Sequence, residues 1–174
     1  MVGISIGKRA VYRVTRLLHH VAMTADDLPV PRIVLDTNVC LDLFVFHEPQ
    51  SAALHVAMRD GTIEAVTRAD CRDEWLRVLH YPQLPVTAAA RPAIEAAFDA
   101  LVRCLSDELA TAPAAAPLPR CADPDDQKFL ELAQASGARW LVSKDNELLK
   151  LAPRCARDAL FWIGLPQAWS LRKG

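Results

Sequence analysis

Apolar residues recur along this chain with two different periods, and the alternation between them sets the expected architecture. Arg32 to Asp36 (RIVLD) is a short, β-branched apolar run ending on a carboxylate, the pattern of a strand buried on both faces. Asn38 to Phe46 then reads as a helix, and Leu54, Val56, Ala57 and Met58 mark a second one, stopped by Gly61. Ile63 to Thr67 is the next strand. Ala69 to His80 is helical, with Leu76 and Leu79 on one side, and ends at Tyr81-Pro82 because a residue before proline is steered away from helix. Between Thr87 and Leu109, the spacing of Ile94, Phe98, Leu101, Leu105 and Leu109 predicts one helical stripe. A Pro/Ala connector, Ala110 to Arg120, follows. Asp125 to Ser136 is helical again, with Phe129, Leu130, Leu132 and Ala133 inward and Gly137 where a helix C-terminus prefers glycine. Trp140 to Ser143 and Ala159 to Ile163 are the remaining strands, flanking a short helix at Glu147 to Leu151.

Strands that alternate with helices imply right-handed crossovers and a parallel sheet covered on both faces. The fold class is therefore α/β, a three-layer α/β/α arrangement around a central parallel sheet. The first thirty residues stand apart. Val11, Val14, Leu17, Leu18 and Val21 recur at helical spacing with Arg9, Arg13, Arg16 and His20 largely opposite, a short basic amphipathic helix followed by a loop. The chain thus divides into an N-terminal extension, 1–30, and one domain, 31–174. A docking arm for a partner or RNA is one reading of the extension. A packing extension, or an upstream start with the true start at Met23, is preferred, since such helices have many fates.

Composition narrows the picture. The chain has 174 residues, 52% hydrophobic, which suits one domain and excludes a disordered chain. A net charge of −1 excludes a polybasic protein whose affinity for nucleic acid comes from bulk counterion release, though not nucleic acid as a substrate. Five cysteines, Cys40, Cys71, Cys104, Cys121 and Cys155, are widely spaced, so small buried thiols fit better than a disulfide framework or a thiolate zinc site. The basic N-terminus lacks an uninterrupted apolar stretch, and no run reaches membrane-spanning length; a cytoplasmic protein is expected.

In a parallel α/β sheet the working site lies outside the carboxyl ends of the strands. That rule selects Asp36, which ends the first strand in LDTN, and Asp145, which follows the strand WLVS. Asp126 opens the helix of DPDDQKFLELA on its core side, and Glu74 lies mid-helix in RDEWLRVLHYP, where it can point across the mouth of the sheet. Four acids from four segments can thus converge. Clustered carboxylates repel one another and need a counter-ion or raised pKa values. Oxygen-only ligands suit Mg²⁺ or Mn²⁺, and two such ions activate water and stabilise the leaving oxygen in phosphodiester hydrolysis. Each acid also has a duller explanation. Asp123, Pro124 and Asp126 fit a helix start, with Asp126 as the acidic partner of a capping box. Ser143 or Asp145 can cap the helix after them, Asp36 the helix after its strand, and Glu74 alone reads as a solvated helix acid.

LDTNVCL, the acid in DEWLRVLHYP, then DPDDQKFLELAQASGA and WLVSKDNELL, in this order, resemble the PIN-domain family, and within it the bacterial VapC-like ribonucleases of toxin–antitoxin systems. The resemblance runs from about Arg32 to Gly164. It implies a parallel α/β fold in which Asp36, Glu74, Asp126 and Asp145 are the catalytic and metal-binding acids, with Asp126 preferred to Asp125. Asn38 and Ser143 support the site, and Asp123 caps rather than binds metal. Asp70 and Asp73 compete with Glu74, and Asp42 is a candidate rim residue. The implied activity is a Mg²⁺- or Mn²⁺-dependent endoribonuclease acting on single-stranded RNA, with an antitoxin as partner and a homodimer as the assembly. Two other classes are weighed against it: a phosphatase or phosphotransfer domain with Asp36 as nucleophile, and a non-catalytic interaction module of the same fold. The first is disfavoured by Asn38, which stands where that chemistry wants a second aspartate.

Overall fold

The computed structural model describes residues 29–106 and 116–169. Five strands form one all-parallel sheet: β1 (Arg32–Leu35), β2 (Glu64–Thr67), β3 (Val102–Cys104), β4 (Trp140–Val142) and β5 (Trp162–Gly164), in the spatial order β3-β2-β1-β4-β5. Because side chains alternate across a strand, each strand feeds two cores. Ile33, Leu35, Ala65, Val102, Trp140 and Val142 face one side, where α1 (Thr37–Leu41), α2 (Ala52–Arg59), α3 (Ala69–Val78) and α4 (Arg91–Leu101) supply Val39, Leu54, Trp75 and Phe98. Val34, Val66, Leu141 and Ile163 face the other. There α5 (Gln127–Ala135), α6 (Asn146–Leu149) and α7 (Ala152–Arg157) supply Phe129, Leu130, Leu132, Leu148 and Cys155. This is the expected three-layer α/β/α class. The N-terminal extension lies outside the described residues, apart from its last two positions, Pro29 and Val30.

Strand order fixes where a site can form. From β1 the chain builds outward through β2 to β3, then returns to the other side of β1 with β4 and β5. The switch point falls between β1 and β4, and the crevice of an open α/β sheet opens at such a point. The ladder runs on past the strand ends there: the Asp36 N–H donates to the Val142 carbonyl at 3.0 Å, and the Ser143 N–H to Gly164 at 3.1 Å. Asp36 and Ser143 are thereby locked side by side.

Several elements follow the sequence pattern closely. Helix α5 ends in a Schellman turn at Gly137 (φ 66°): its N–H reaches the Gln134 carbonyl at 3.1 Å, and the Ala138 N–H reaches Ala133 at 2.9 Å. Gly61 (φ 75°) ends α2 in the same left-handed conformation. Elsewhere tertiary pairing overrides the pattern. The stripe expected from Thr87 to Leu109 is not one helix. Helix α4 stops at Leu101, Val102 turns extended (φ −117°, ψ 112°), and β3 adds an edge to β2, with the Leu105 N–H on the Thr67 carbonyl at 2.9 Å. The spacing of Leu105 after Leu101 imitates a helix, and Leu109 lies outside the described residues. The strand expected at Ala159–Ile163 sits later, at Trp162–Gly164, because α7, with Pro153 in its first turn, uses the residues before it and ends near left-handed Ala159 (φ 52°). The helix expected from Asn38 to Phe46 changes into a π turn at Asp42–Phe46. Cys40, Cys71, Cys121 and Cys155 are buried as expected, but Cys104 is exposed on the edge strand.

Gly164 carries a packing constraint of its own. A Cβ there would fall inside the Trp162 indole, which packs against the core two residues earlier on the strand. Gly164→Ala is expected to force that ring off its rotamer and to lower stability by about 1–3 kcal/mol, read by urea unfolding. An unchanged midpoint would show that the ring relocates freely.

Candidate active site

At the carboxyl edge of β1 and β4, side chains from four segments meet. Asp36 is only 4% exposed. Although it stands at the N-cap position of α1, its carboxylate makes no cap bond there. Instead its Oδ2 accepts from Asn38 Nδ2 at 2.6 Å and from the Ser143 hydroxyl. Burial raises the Asp36 carboxyl above the usual range, those two donors oppose the shift, and the Glu74 charge adds to it. Ser143 is fully buried, and its oxygen also accepts the Asp145 N–H at 2.8 Å, so one hydroxyl ties the second acid to the first. Asn38 is similarly bivalent: its Oδ1 accepts the Lys144 N–H at 3.1 Å.

Asp145 caps α6, accepting from the Glu147 N–H at 2.6 Å and, more weakly, from Leu148 at 3.4 Å. Asp123 caps the short 3₁₀ turn Pro124–Asp126 that leads into α5, accepting from the Asp125 N–H at 2.9 Å. Asp126 is not the reciprocal partner of a capping box: its side chain makes no hydrogen bond or ion pair among the described residues, and only its backbone N–H reaches Asp123. Burial first, then the charges of Asp36, Asp145, Asp123 and Glu74, push its carboxyl up to about 7. That field is the signature of converging acids. Strongly perturbed carboxyls in a cleft mark functional sites more often than structural ones.

Glu74 is reached from α3 but is not a bare acid. Thr37 Oγ1 donates to its Oε1 at 2.7 Å, and Lys128, one residue before Phe129 on α5, forms an ion pair with its Oε2. It is half-buried rather than a solvated helix acid. The competing acids are elsewhere: Asp70 is clamped by Arg68 at 2.7 and 2.9 Å, and Asp73 is exposed. Asp42 is not a rim residue. It is 5% exposed and receives Lys144 Nζ on Oδ1 at 2.5 Å. Sequence reading overlooked Thr37, Lys128 and Lys144, all immediate neighbours of the acids it selected. Their polarity inside LDTN, DDQK and SKD was the available signal.

Among the described residues, no three of these side chains stand close enough to enclose a metal ion as they lie. The donor set nevertheless fits a hard divalent cation: it is all oxygen, the Asp126 side chain has no hydrogen-bond or ion-pair partner among the described residues, and burial with the neighbouring acids raises the Asp126 carboxyl. Beside Glu74, an open groove of about 460 Å³ runs between α3 and α5, with Arg68, Arg77 and Lys128 on its walls. Another cavity, of about 1120 Å³, lies at the opposite edge, by Arg32, Glu64 and Arg139.

The sign of the Asp126 shift gives a test of the cluster in metal-free protein. A carboxyl whose folded value, about 7, exceeds its ordinary 3.8 takes up a proton on folding. Stability is then fullest below about pH 4 and is lost as pH rises through about 7. Asp126→Asn removes the ionisable group. In chelator at pH 8 it is expected to gain about 1 kcal/mol, the shift being discounted for solvent screening of a partly exposed group. The gain should shrink steadily toward pH 4 in urea titrations. A pH-independent difference would mean that the acids do not interact.

The family can now be stated. The PIN domain model matches residues 32–147, from the first residue of β1 into α6, past its cap Asp145, and the chain belongs to the PIN domain family. No curated protein matches the chain. Among solved structures it is similar to a chain of the crystal structure of VapBC2 from Rickettsia felis bound to a DNA fragment from their promoter. The TM-score is 0.49 and the identity 15%, over 76% of this chain and 96% of that one.

Proposed function

We propose that this protein is a metal-dependent endoribonuclease that hydrolyses phosphodiester bonds of single-stranded RNA, and that it is the toxin of a toxin–antitoxin pair. The observation that carries the reading is geometric: at the switch point between β1 and β4 the Ser143 hydroxyl ties Asp36 to Asp145, and Asp126, whose side chain has no partner among the described residues, lies near enough for their charges to act on it. Asp36, Asp126 and Asp145 would hold Mg²⁺ or Mn²⁺, with Glu74 joining once Lys128 releases it. A bound divalent ion supplies the Lewis acidity that makes water a nucleophile near neutral pH and offsets charge on the leaving oxygen.

The chain's own residues account for the rest. Ser143 and Asn38 hold the Asp36 carboxylate in one orientation, so its free lone pairs face the crevice without reorganisation. Asp126 would complete the carboxylate set beside Asp36 and Asp145; the attacking water loses its proton to solvent as its oxygen bonds to phosphorus, and the leaving oxygen of the broken P–O bond takes one up. In the adjoining groove Arg77 offers a cation for a flanking phosphate, while Arg68 and Lys128 are paired with Asp70, Glu131 and Glu74. No side-chain nucleophile is needed. The antitoxin follows from the resemblance of the motifs to VapC-like proteins. A homodimer stands on the same footing.

The test is cleavage of a fluorescently labelled single-stranded RNA in Mg²⁺ or Mn²⁺, with chelator as control. Metal-dependent cleavage abolished by EDTA is expected. Cleavage of equal rate in chelator, or none in either metal, would reject the assignment.

A further inference from the structure

We infer that Asp42 and Lys144 form a clasp that positions Asp145, and that both are positioning residues for the proposed hydrolysis. The inference rests on the nuclease reading for its catalytic consequence and on geometry alone for the clasp. Asp42 opens the π turn that interrupts the first helix and is 5% exposed. A carboxylate buried to that degree is costly unless it is paired and hydrogen-bonded. Its partner comes from the other side of the switch point: Lys144 Nζ lies 2.5 Å from Oδ1, while the lysine stem stays at the surface. Single π turns inside helices occur frequently at functional sites, because the extra residue re-aims a side chain. Here the side chain at the turn's first residue meets the loop after β4.

That loop is Ser143-Lys144-Asp145; its first two residues are tied back to the segment after β1, and the third is tied to Ser143. Ser143 donates its hydroxyl to Asp36, and Lys144 gives its N–H to Asn38 Oδ1 and its ammonium to Asp42. Asp145 gives its N–H to Ser143 Oγ at 2.8 Å. Asn38 closes the ring by donating to Asp36 at 2.6 Å. Without the ion pair, hydrogen bonds alone would remain to fix the position of Asp145 relative to Asp36, in a loop whose lysine is exposed. The ammonium adds the only charged contact among these ties.

The experiment has one arm without metal or RNA. In metal-free protein, Lys144→Met and Asp42→Asn are each expected to speed hydrogen exchange of the amides at positions 144 and 145 by roughly tenfold or more, with core amides of β1 unchanged. Lys144 is largely a surface side chain, so Lys144→Met keeps the fold even if Asp42→Asn does not. In the second arm, with Mn²⁺ and RNA, each variant should lower kcat by about 10–100-fold at unchanged KM. The double variant should fall no further than either single one, and Lys144→Arg should recover most of the rate. Unaltered exchange in Lys144→Met overturns the clasp. So does a Lys144→Met variant that raises KM while Asp42→Asn keeps full kcat, because Lys144 would then be a phosphate contact. A wild-type protein that cleaves no RNA rejects the nuclease reading, and the exchange arm still decides the clasp.

Discussion

Asp36→Asn is expected to lower metal-dependent RNA cleavage by a factor on the order of 10³ while leaving the fold intact. The substitution keeps the size and an acceptor oxygen of the side chain. Asn38 Nδ2 and the Ser143 hydroxyl, which converge on Oδ2, can therefore still donate to it. What is lost is the negative charge. That charge is expensive in the metal-free protein, because Asp36 is buried and Glu74 repels it. Melting of the variant in chelator should accordingly match or exceed wild type, whereas the rise in melting temperature that Mn²⁺ gives the wild type should disappear. Loss of activity together with loss of stability would point to a structural acid. Undiminished cleavage in the presence of metal would remove Asp36 from the site.

Trp75→Ala is expected to cost about 3–5 kcal/mol, measured by urea unfolding. Trp75 is 1% exposed and is the largest of the fully buried side chains. Its ring stacks on Phe98 (centroids 5.2 Å apart, planes 22° apart) and tilts against Phe44 at 6.0 Å, while Phe44 meets Phe98 edge-on at 5.5 Å. This triad joins α3, α4 and the π turn on one face of the sheet. Deleting its centre leaves a cavity that neighbours on three elements cannot all close. Against a total stability of about 5–15 kcal/mol, such a loss brings the domain close to unfolding at ambient temperature. Trp75→Phe should retain most of the stability, since an aromatic face still meets Phe98. An alanine variant of unchanged midpoint would show that the triad is not central to the core. Glu74 precedes Trp75 on α3, so the same ring also anchors the helix that carries the third acid toward Asp36.

Legibility followed the number of signals that agreed. Strand β1 was readable because RIVL is apolar and β-branched, and α5 because its inward residues, its Asp123 cap and Gly137 all mark one helix. β3 was hidden: it has three residues, of which only Val102 is buried, and Leu105 continues the period of the helix before it. Asp36 and Asp145 were legible from the rule that strand carboxyl ends carry the site, and Asp126 from its place at the start of α5. The capping roles of Asp123 and Asp145 were also legible, since the hydrogen bond each makes is local in sequence.

The amino-acid sequence by itself determined the α/β alternation, the helix ends at Gly61 and Gly137, and the acids that end or follow strands, because each rests on periods and contacts within a few residues. Only the tertiary structure decided that Lys128 meets Glu74, that Lys144 meets Asp42, and that Ser143 joins Asp36 to Asp145. Lys128 and Glu74 are 54 positions apart, Lys144 and Asp42 102, and Ser143 and Asp36 107; only Ser143 and Asp145, two apart, are local. Such contacts follow from strand order, which brings β4 against β1, and strand order leaves no periodic mark on a single chain. The raised carboxyl of Asp126 has in part the same origin, since besides burial, its largest cause, the charges that act on it come from three distant segments as well as its own.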